Sequence, residues 1–293
     1  MDGTGMQVRE ARKDDYHRLA NLTHFEEHVH RHLDWKPALE WIGSVPFLLA
    51  ERNNELLAAL ACPPDPQDVA WLRLFAVTAG FSPLMFWRKL WSQAEQQLAG
   101  LGIREAYALA LQDWFTQLLT TESFEHVQDV VVLALAAYPD HSPHSSDQVR
   151  VRSMTIEDLP EVCKVDNRAF GMEWRNSLDA LGLAFQQSSV ATVAELNGEL
   201  VGYQISTGGP MGGHLARLAV LPERQGHGIG AKLVYDLLER FQNYGIPRVT
   251  VNTQADNLAS LSIYHKCGFQ YTGEVYPVFR LIPWKGTKGT TVP

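Results

Sequence analysis

The spacing of apolar residues changes character between residues 215 and 241. Leu215–Leu221 is a mostly apolar run, which predicts a buried strand that ends at Pro222, because proline has no N–H for a sheet ladder. A glycine-rich segment, Gln225–Gly230, follows. After it the apolar side chains recur at helical spacing, at Ile229, Leu233, Leu237, Leu238 and Phe241. The pattern therefore predicts a strand, a glycine turn and a helix in that order.

This arrangement is typical of an anion site. Glycines let the backbone adopt positive φ and let a phosphate approach, while the free N–H groups of the first helical turn point at it. Gly226, Gly228 and Ala231 also fit a loose dinucleotide fingerprint, but the next predicted strand, Arg248–Thr253, ends without an acidic residue for a ribose. No Lys-Ser/Thr pair follows the glycines, which disfavours a nucleoside triphosphate.

A second informative stretch runs from Asn257 to Phe269. Asp256 or Asn257 can cap a short helix, and Gly268 stands where such a helix would end in a left-handed residue. Tyr264 falls in the last turns of this helix. A phenol is neutral at pH 7 and holds a proton for a strong base, although a half-buried structural tyrosine is the plainer alternative.

Together the two stretches resemble the signatures of GNAT-superfamily N-acetyltransferases. Gln225, Gly228 and Gly230 occupy the fixed positions of the acyl-CoA motif Q/R-x-x-G-x-G/A, and Asn257 with Tyr264 resembles the second signature. The resemblance implies that acetyl-CoA is the co-substrate and that Tyr264 is the catalytic acid that protonates the CoA thiolate. It implies contacts to acetyl-CoA from Leu218, Ala219, Val220, Gln225, Gly226, His227, Gly228, Ile229, Gly230, Ala231, Asn257 and Ser260.

The same resemblance places the acceptor beneath an early helix–loop–helix, which makes Phe170, Glu173, Trp174 and His214 the candidate substrate contacts. Some relatives that acetylate protein N-termini carry a glutamate five residues before the signature Asn. Here that position is Asn252, which takes no proton at neutral pH. His214 and Glu173 are therefore the alternatives for the base, and a backbone N–H near Val220 is expected to polarise the thioester carbonyl.

The chain also repeats one design. Similar segments recur at an almost constant offset of 143 to 145 residues, which pairs Val8 with Val151, Glu51 with Glu195, Val77 with Val220, Gly102 with Gly245 and Phe124 with Phe269. We therefore expect an α/β (α+β) protein with two tandem domains, each a central mixed twisted sheet flanked by helices. The predicted boundaries are a first domain at 1–137, a linker at 138–148, a second domain at 149–284 and a flexible tail at 285–293.

The copies differ where the motifs lie. After Val77 the first half has no glycine motif, and the position that matches Tyr264 is Leu119. The first domain is therefore expected to be degenerate, and to serve as a packing and substrate-shaping partner.

Composition narrows the function. The net charge of −8 argues against nucleic-acid binding, and three scattered cysteines fit a reducing compartment. No signal region or transmembrane run is found, so the expectation is a cytoplasmic protein with no membrane partner. The linker residues His141 and His144 have no cluster of cysteines or carboxylates beside them, so no metal is expected. The sequence does not fix the oligomeric state, and a homodimer is one of the alternatives.

The sequence thus predicts an acetyl-CoA-dependent N-acetyltransferase that moves an acetyl group to a primary amine, catalysed by the C-terminal domain. The expected acceptor is a small-molecule or peptide amine. Acetylation of a small thiol precursor, as by a mycothiol synthase, and a non-enzymatic acyl-CoA-binding or scaffold role are the alternatives.

Overall fold

The computed structural model describes residues 5–139 and 148–281. The chain divides into two compact units, one formed by Met1–Val127 with Pro277–Pro293 and the other by Gln128–Tyr276. Residues 140–147 of the predicted linker and the whole predicted tail, 285–293, lie outside the described residues.

The first unit holds a sheet of order β1-β3-β4-β6-β2 and a short ladder β5-β7-β14. Its apolar centre packs α2 and α3 against these strands, with the fully buried Trp87, Phe75 and Phe115 at its heart. Its elements in chain order are β1 (Gln7–Glu10), α1 (Tyr16–Phe25), β2 (His28–Arg31), β3 (Phe47–Arg52), β4 (Glu55–Ala61), β5 (Ala70–Trp71), β6 (Leu74–Val77), α2 (Pro83–Gly100), β7 (Ala106–Leu109), α3 (Asp113–Thr121), the start of β8 (Glu125–Leu135) and the end of β14 (Phe269–Leu281).

The second unit is built on a sheet of order β8-β13-β12-β11-β10-β9. One face of this sheet packs against the apolar stripe of α6, where Leu233, Leu237 and Phe241 are fully buried, and the other face carries α4. Besides parts of β8 and β14 its elements are β9 (Val149–Ser153), α4 (Leu159–Ala169), α5 (Leu178–Gln187), β10 (Val190–Leu196), β11 (Glu199–Gly209), β12 (Gly212–Val220), α6 (Ile229–Asn243), β13 (Val249–Gln254) and α7 (Leu258–Lys266).

The predicted fold class is confirmed, and the repeat is visible in the strand register. In the first unit β5 and β7 run parallel with Ala70 opposite Ala106, and in the second β12 and β13 run parallel with Gly213 opposite Val249. Both members of the pair shift by the same 143 residues, since 213 − 70 = 143 and 249 − 106 = 143. All other named ladders are antiparallel, so each unit contains mixed pairing.

Each unit is completed by a strand from the other half of the sequence. Residues 130–134 of β8 pair antiparallel with β13 in the second unit, and Val278–Leu281 of β14 pair antiparallel with β7 in the first. The compact units therefore differ from the predicted ranges 1–137 and 149–284, because residues 128–137 group with the second unit and 277–281 with the first. The repeat in the sequence predicts two domains but carries no information about this exchange.

Strand β12 begins earlier than the apolar run Leu215–Leu221 predicts. The turn is short, and β12 already begins at Gly212, so His214 is a strand residue. The glycine at position 213 serves close packing, since a Cβ there would lie 2.4 Å from the Phe241 ring of α6. The apolar-run criterion misses such a strand start because glycine has no side chain to register as apolar.

The strand exchange predicts that residues 128–135 stabilise the second unit. We expect a fragment of residues 148–276 to be less stable than a fragment of residues 128–276 by about 3 kcal/mol or more, because it loses the buried Leu133 and the ladder on β13. Urea unfolding followed by circular dichroism measures the difference. Equal midpoints for the two fragments would contradict a structural role for the exchanged strand.

Candidate functional site

The site lies where two parallel strands separate. β12 and β13 are paired only from Gly213 opposite Val249 to Leu215 opposite Val251, although β12 continues to Val220 and β13 to Gln254. The register of β12 against β11 also shifts beside Ile205 and Ser206, which leaves Ala216 without an opposite residue at the point of separation. Beyond Leu215 the outer edge of β12 has no strand beside it in the described part of the chain. The predicted contacts Leu218, Ala219 and Val220 lie on this unpaired segment.

The glycine turn lies at the end of that segment. After a 3-10 turn at Pro222–Arg224, Gly226 and Gly228 have φ of 78° and 80°, a left-handed conformation that favours glycine. Gln225 fixes the turn to the strand, because its Nε2 donates to the Val220 carbonyl at 3.1 Å. His227 Nδ1 lies 2.8 Å from the Gln225 carbonyl oxygen.

Helix α6 starts without a cap. Among the described residues, the first backbone N–H of this region that has an intramolecular acceptor belongs to Lys232, which donates to the Gly228 carbonyl at 3.0 Å. The N–H groups of residues 226–231 are thus available to a ligand. The first turn holds no acidic side chain that would repel an anion. Gly230 is closely packed, since a Cβ there would lie 2.9 Å from Ile263 Cδ1 and the end of that side chain would have to shift.

Tyr264 lies on α7, on the same side of the sheet as α6. Asn257, one of the two predicted cap residues, caps this helix, because its Oδ1 accepts from the Ser260 N–H at 3.1 Å. The Tyr264 ring is nearly buried against Phe269. Burial raises the pKa of Tyr264 above its ordinary value, while the Ser260 side chain acts weakly in the opposite direction. Its phenol therefore holds its proton at neutral pH, as a hydrogen-bond donor or acid must.

On the opposite face of the sheet, three polar side chains meet at the point where the strands separate. His214 on β12 has Nδ1 at 2.9 Å from Thr250 Oγ1 and Nε2 at 2.8 Å from Asn252 Oδ1, both on β13. His214 is half-buried and Asn252 is exposed. Burial lowers the pKa of His214, and the hydrogen bond to Asn252 acts in the opposite direction.

A buried ion pair organises the rest of this face. Arg217 on β12 donates from Nε to Asp166 Oδ2 of α4 at 2.8 Å, and Asp166 is fully buried. Tyr203 donates its hydroxyl to the same carboxylate, and the Asn176 N–H donates to Oδ1 at 2.9 Å. Burial raises the pKa of Tyr203 well above its ordinary value, and the charge of Asp166 acts in the same direction.

The same arginine holds the predicted acceptor loop against the strand. Arg217 donates from Nη2 to the Trp174 carbonyl at 2.6 Å, and its guanidinium lies 3.6 Å from the centre of the Phe170 ring. The Trp174 indole donates to Gln128 Oε1 of β8 at 3.1 Å. Phe170 and Trp174 are therefore held against Arg217 of β12, three residues after His214, whereas the Glu173 carboxylate is folded over Gly171 of its own turn.

Sequence reasoning missed Asp166, Arg217, Tyr203 and Gln128. Two of them carry a signal in the sequence. Arg217 is a lone charge in an otherwise apolar strand, and Asp166 shares a helix face with Val162 and Val165. Buried charges are paired, so such positions predict a partner without naming it. Gln128 carries no signal, because it reaches the site through the exchanged strand.

The equivalent edge in the first unit is filled. β6 pairs with β4 on one side and with β2 on the other, so Val77 lies between Ala58 and His28. Val77 corresponds to Val220 in the repeat, where the outer edge is unpaired. Leu119, which matches Tyr264, is a fully buried core residue. The first unit thus lacks both the unpaired edge and the phenol.

Metal and membrane features are also absent from the described residues. Across residues 5–139 and 148–281, no three His, Cys, Asp or Glu side chains are grouped as metal ligands. No helix in the same ranges combines the length and the apolar character needed to span a bilayer.

Part of the sequence is similar to known acetyltransferases. The sequence profile of the Acetyltransferase (GNAT) family matches residues 156–269. N-alpha-acetyltransferase 30 of Schizosaccharomyces pombe is 34% identical over 65 residues, which cover 22% of this chain and 43% of that protein. The [ribosomal protein bS18]-alanine N-acetyltransferase of Escherichia coli K12 is 24% identical over 124 residues, which cover 41% of this chain and 79% of that protein.

Solved structures share the fold across both units. A GCN5-related N-acetyltransferase from Sphaerobacter thermophilus aligns over 98% of each chain with a TM-score of 0.64 and 14% identity. A tandem GNAT protein from the clavulanic acid biosynthesis pathway aligns over 96% of this chain and 100% of its own, with a TM-score of 0.65 and 14% identity.

The buried ion pair yields a stability prediction. Asp166→Ala leaves the guanidinium of Arg217 buried without its counter-charge, and we expect a loss of about 3–5 kcal/mol in the free energy of unfolding. Glu161→Ala is the matched control on the same helix, because its partner Lys164 is exposed and the expected loss is below about 1 kcal/mol. Urea denaturation of both variants measures this, and similar losses would contradict the interpretation.

Proposed function

The segment 156–269 of this chain belongs to the GNAT acetyltransferase family, and from this premise we propose that the protein is an acetyl-CoA-dependent N-acetyltransferase. Its second unit transfers an acetyl group to a primary amine. The observation that carries the proposal is the run of free N–H groups at residues 226–231, directly beside a strand edge without a partner.

The N–H groups of residues 226–231, called the phosphate cradle below, fit the chemistry of coenzyme A. A diphosphate needs several N–H donors and a favourable helix dipole, and the start of α6 supplies both. The pantetheine arm carries amide groups that can pair with a strand edge, and β12 beyond Leu215 offers such an edge. Acetyl-CoA supplies the activated thioester, and the chain supplies its grip and orientation.

Tyr264 is the proposed acid. Its raised pKa keeps the phenol protonated, so the hydroxyl is in place to donate a hydrogen bond to the sulfur, and then its proton, as the C–S bond breaks. The nearby Cys267 is an unsuitable nucleophile, because burial raises the pKa of its thiol to about 11.

The second unit is the proposed catalytic one. β2 occupies in the first unit the edge on which the pantetheine arm would pair, and Leu119 stands where the phenol would be. The amine enters from the face that carries Phe170, Trp174, His214 and Asn252, opposite the face of α6 and α7. The test of the whole proposal is the release of free CoA thiol from acetyl-CoA, measured with a panel of primary amines.

The first variant tests the cradle. Gly228→Trp places a bulky side chain among the free N–H groups, and we expect CoA binding to weaken by about 10²-fold or more, because charge-assisted hydrogen bonds contribute about 1.5–3 kcal/mol each. Gly245→Trp is the matched control, since it has the same left-handed strain at the other end of α6. Isothermal titration calorimetry measures both affinities. Normal CoA binding by Gly228→Trp would contradict the assignment of residues 226–231 as the phosphate-binding site.

The second variant tests the acid. Tyr264→Phe retains the packing of the ring and removes only the O–H, so we expect turnover to fall by about 10²-fold or more with CoA affinity unchanged. Tyr235→Phe is the control, because it loses only a hydroxyl bond to the Lys266 carbonyl. Steady-state kinetics and CoA titration separate the two quantities. An unchanged turnover number in Tyr264→Phe would leave the phenol with a structural role only.

A further inference from the structure

The face of the sheet that the amine would reach carries one histidine at the point where β12 and β13 separate. His214 lies one residue before the last paired position, Leu215 opposite Val251. Its ring contacts Thr250 and Asn252 across the two strands. Pairing between β12 and β13 ends at Leu215, and Ala216 has no opposite residue on β11, so the imidazole lies beside the point where the two strands separate.

This inference rests on the proposed function. We propose that His214 is the catalytic base, which takes the proton that the acceptor ammonium must lose before it attacks the thioester, and that Thr250 and Asn252 are positioning residues for its ring.

The contacts of the ring suit both of its protonation states. In the imidazolium both N–H groups have an acceptor, Asn252 Oδ1 at 2.8 Å and Thr250 Oγ1 at 2.9 Å, while the Thr250 hydroxyl turns to the Gly213 carbonyl at 3.4 Å. In the neutral ring Nδ1 keeps its proton and still donates to Thr250 Oγ1, while Nε2 carries the lone pair that faces the exposed Asn252 side chain. A base that gains and loses a proton in each turnover therefore leaves no buried donor unpaired.

The two competing bases are less suitable. The amide of Asn252 accepts no proton at neutral pH, although it occupies the position where some relatives carry a glutamate. The Glu173 carboxylate lies over Gly171, within 2.9 Å of where a Cβ on that glycine would be. It is thus packed on its own turn.

The surroundings of His214 favour the neutral ring. Its neighbours on β11 and β13 are Thr207, Thr250 and Asn252, which carry no charge. The next residue on the same face of β12 is Arg217, whose charge is balanced by Asp166 of α4. Burial lowers the pKa of His214, so the base is free to accept a proton at neutral pH.

The proton count balances without another reactant. The ammonium gives one proton to Nε2 of His214 when the amine displaces the exposed Asn252 side chain, and the free amine attacks the thioester carbon. The C–N bond forms, the C–S bond breaks, and the sulfur takes a proton from Tyr264. The second ammonium proton restores the phenol, and His214 releases its proton to solvent.

The experiment compares amines of different basicity. A strongly basic alkylamine is an ammonium ion at neutral pH and needs a base, whereas methoxyamine is already neutral and needs none. In His214→Gln we expect kcat/KM to fall by about 10²–10⁴-fold for the alkylamine and by far less for methoxyamine. A purely structural loss would slow both amines equally. His24→Gln, on the exposed side of α1, is the matched control and should change neither rate.

The pH profile gives a second readout. With the alkylamine, kcat/KM of the wild type should rise with pH and level off above the pKa of His214, which lies below the ordinary value for histidine. In His214→Gln the rise should continue with the fraction of free amine. Asn252→Ala removes a bond that raises this pKa, so its plateau should begin at a lower pH.

The outcomes separate the two proposals. If the wild type releases CoA thiol with none of the amines tested, the proposed function fails. If the wild type is active but His214→Gln slows both amines equally, or keeps the plateau, the assignment of the base fails alone. CoA titration of His214→Gln shows that the variant is folded, since the phosphate cradle lies on another element.

Discussion

The second unit depends on backbone groups that the fold leaves without partners. Buried N–H and C=O groups are almost always paired, and β12 is paired with β11 on one side apart from the irregularity at Ala216. On its other side the pairing with β13 stops at Leu215, and the N–H groups of residues 226–231 have no acceptor among the described residues. An extended ligand with amide groups at one end and phosphates at the other satisfies both sets.

The first unit shows the same scaffold with that requirement met internally. β2 forms a ladder along β6 from His28 to Arg31, on the edge that is open in β12. The parallel pair of β5 and β7 is nevertheless retained in the same register as that of β12 and β13. A repeat can therefore preserve its sheet while one strand, β2, covers in the first unit the edge that is unpaired in the second. Leu119, which stands at the position of Tyr264, is a fully buried core residue of the first unit.

Local patterns in the sequence predict the elements around the site well. The apolar run before Pro222, the helical stripe from Ile229 and the cap at Asn257 depend on neighbouring residues, and each lies in the predicted element. The strand start at Gly212 was missed, because glycines chosen for close packing look like a loop. The contacts of Arg217 with Asp166, and of Trp174 with Gln128, join residues far apart in sequence. A single sequence holds no rule that fixes such pairs, so only the presence of a partner for Arg217 was predictable.

The exchange of β8 and β14 has a consequence for biosynthesis. Translation proceeds from the N-terminus, and domains ordinarily fold in the order in which they leave the ribosome. Here the ladder on β7 needs Val278–Leu281, which are made after the second unit, whereas β13 finds its neighbour in a segment made long before it. The half encoded first is thus the last to be completed. A premature stop or a slow C-terminal codon would leave an exposed strand edge on nascent chains, which is a hazard for aggregation and a natural target for chaperones.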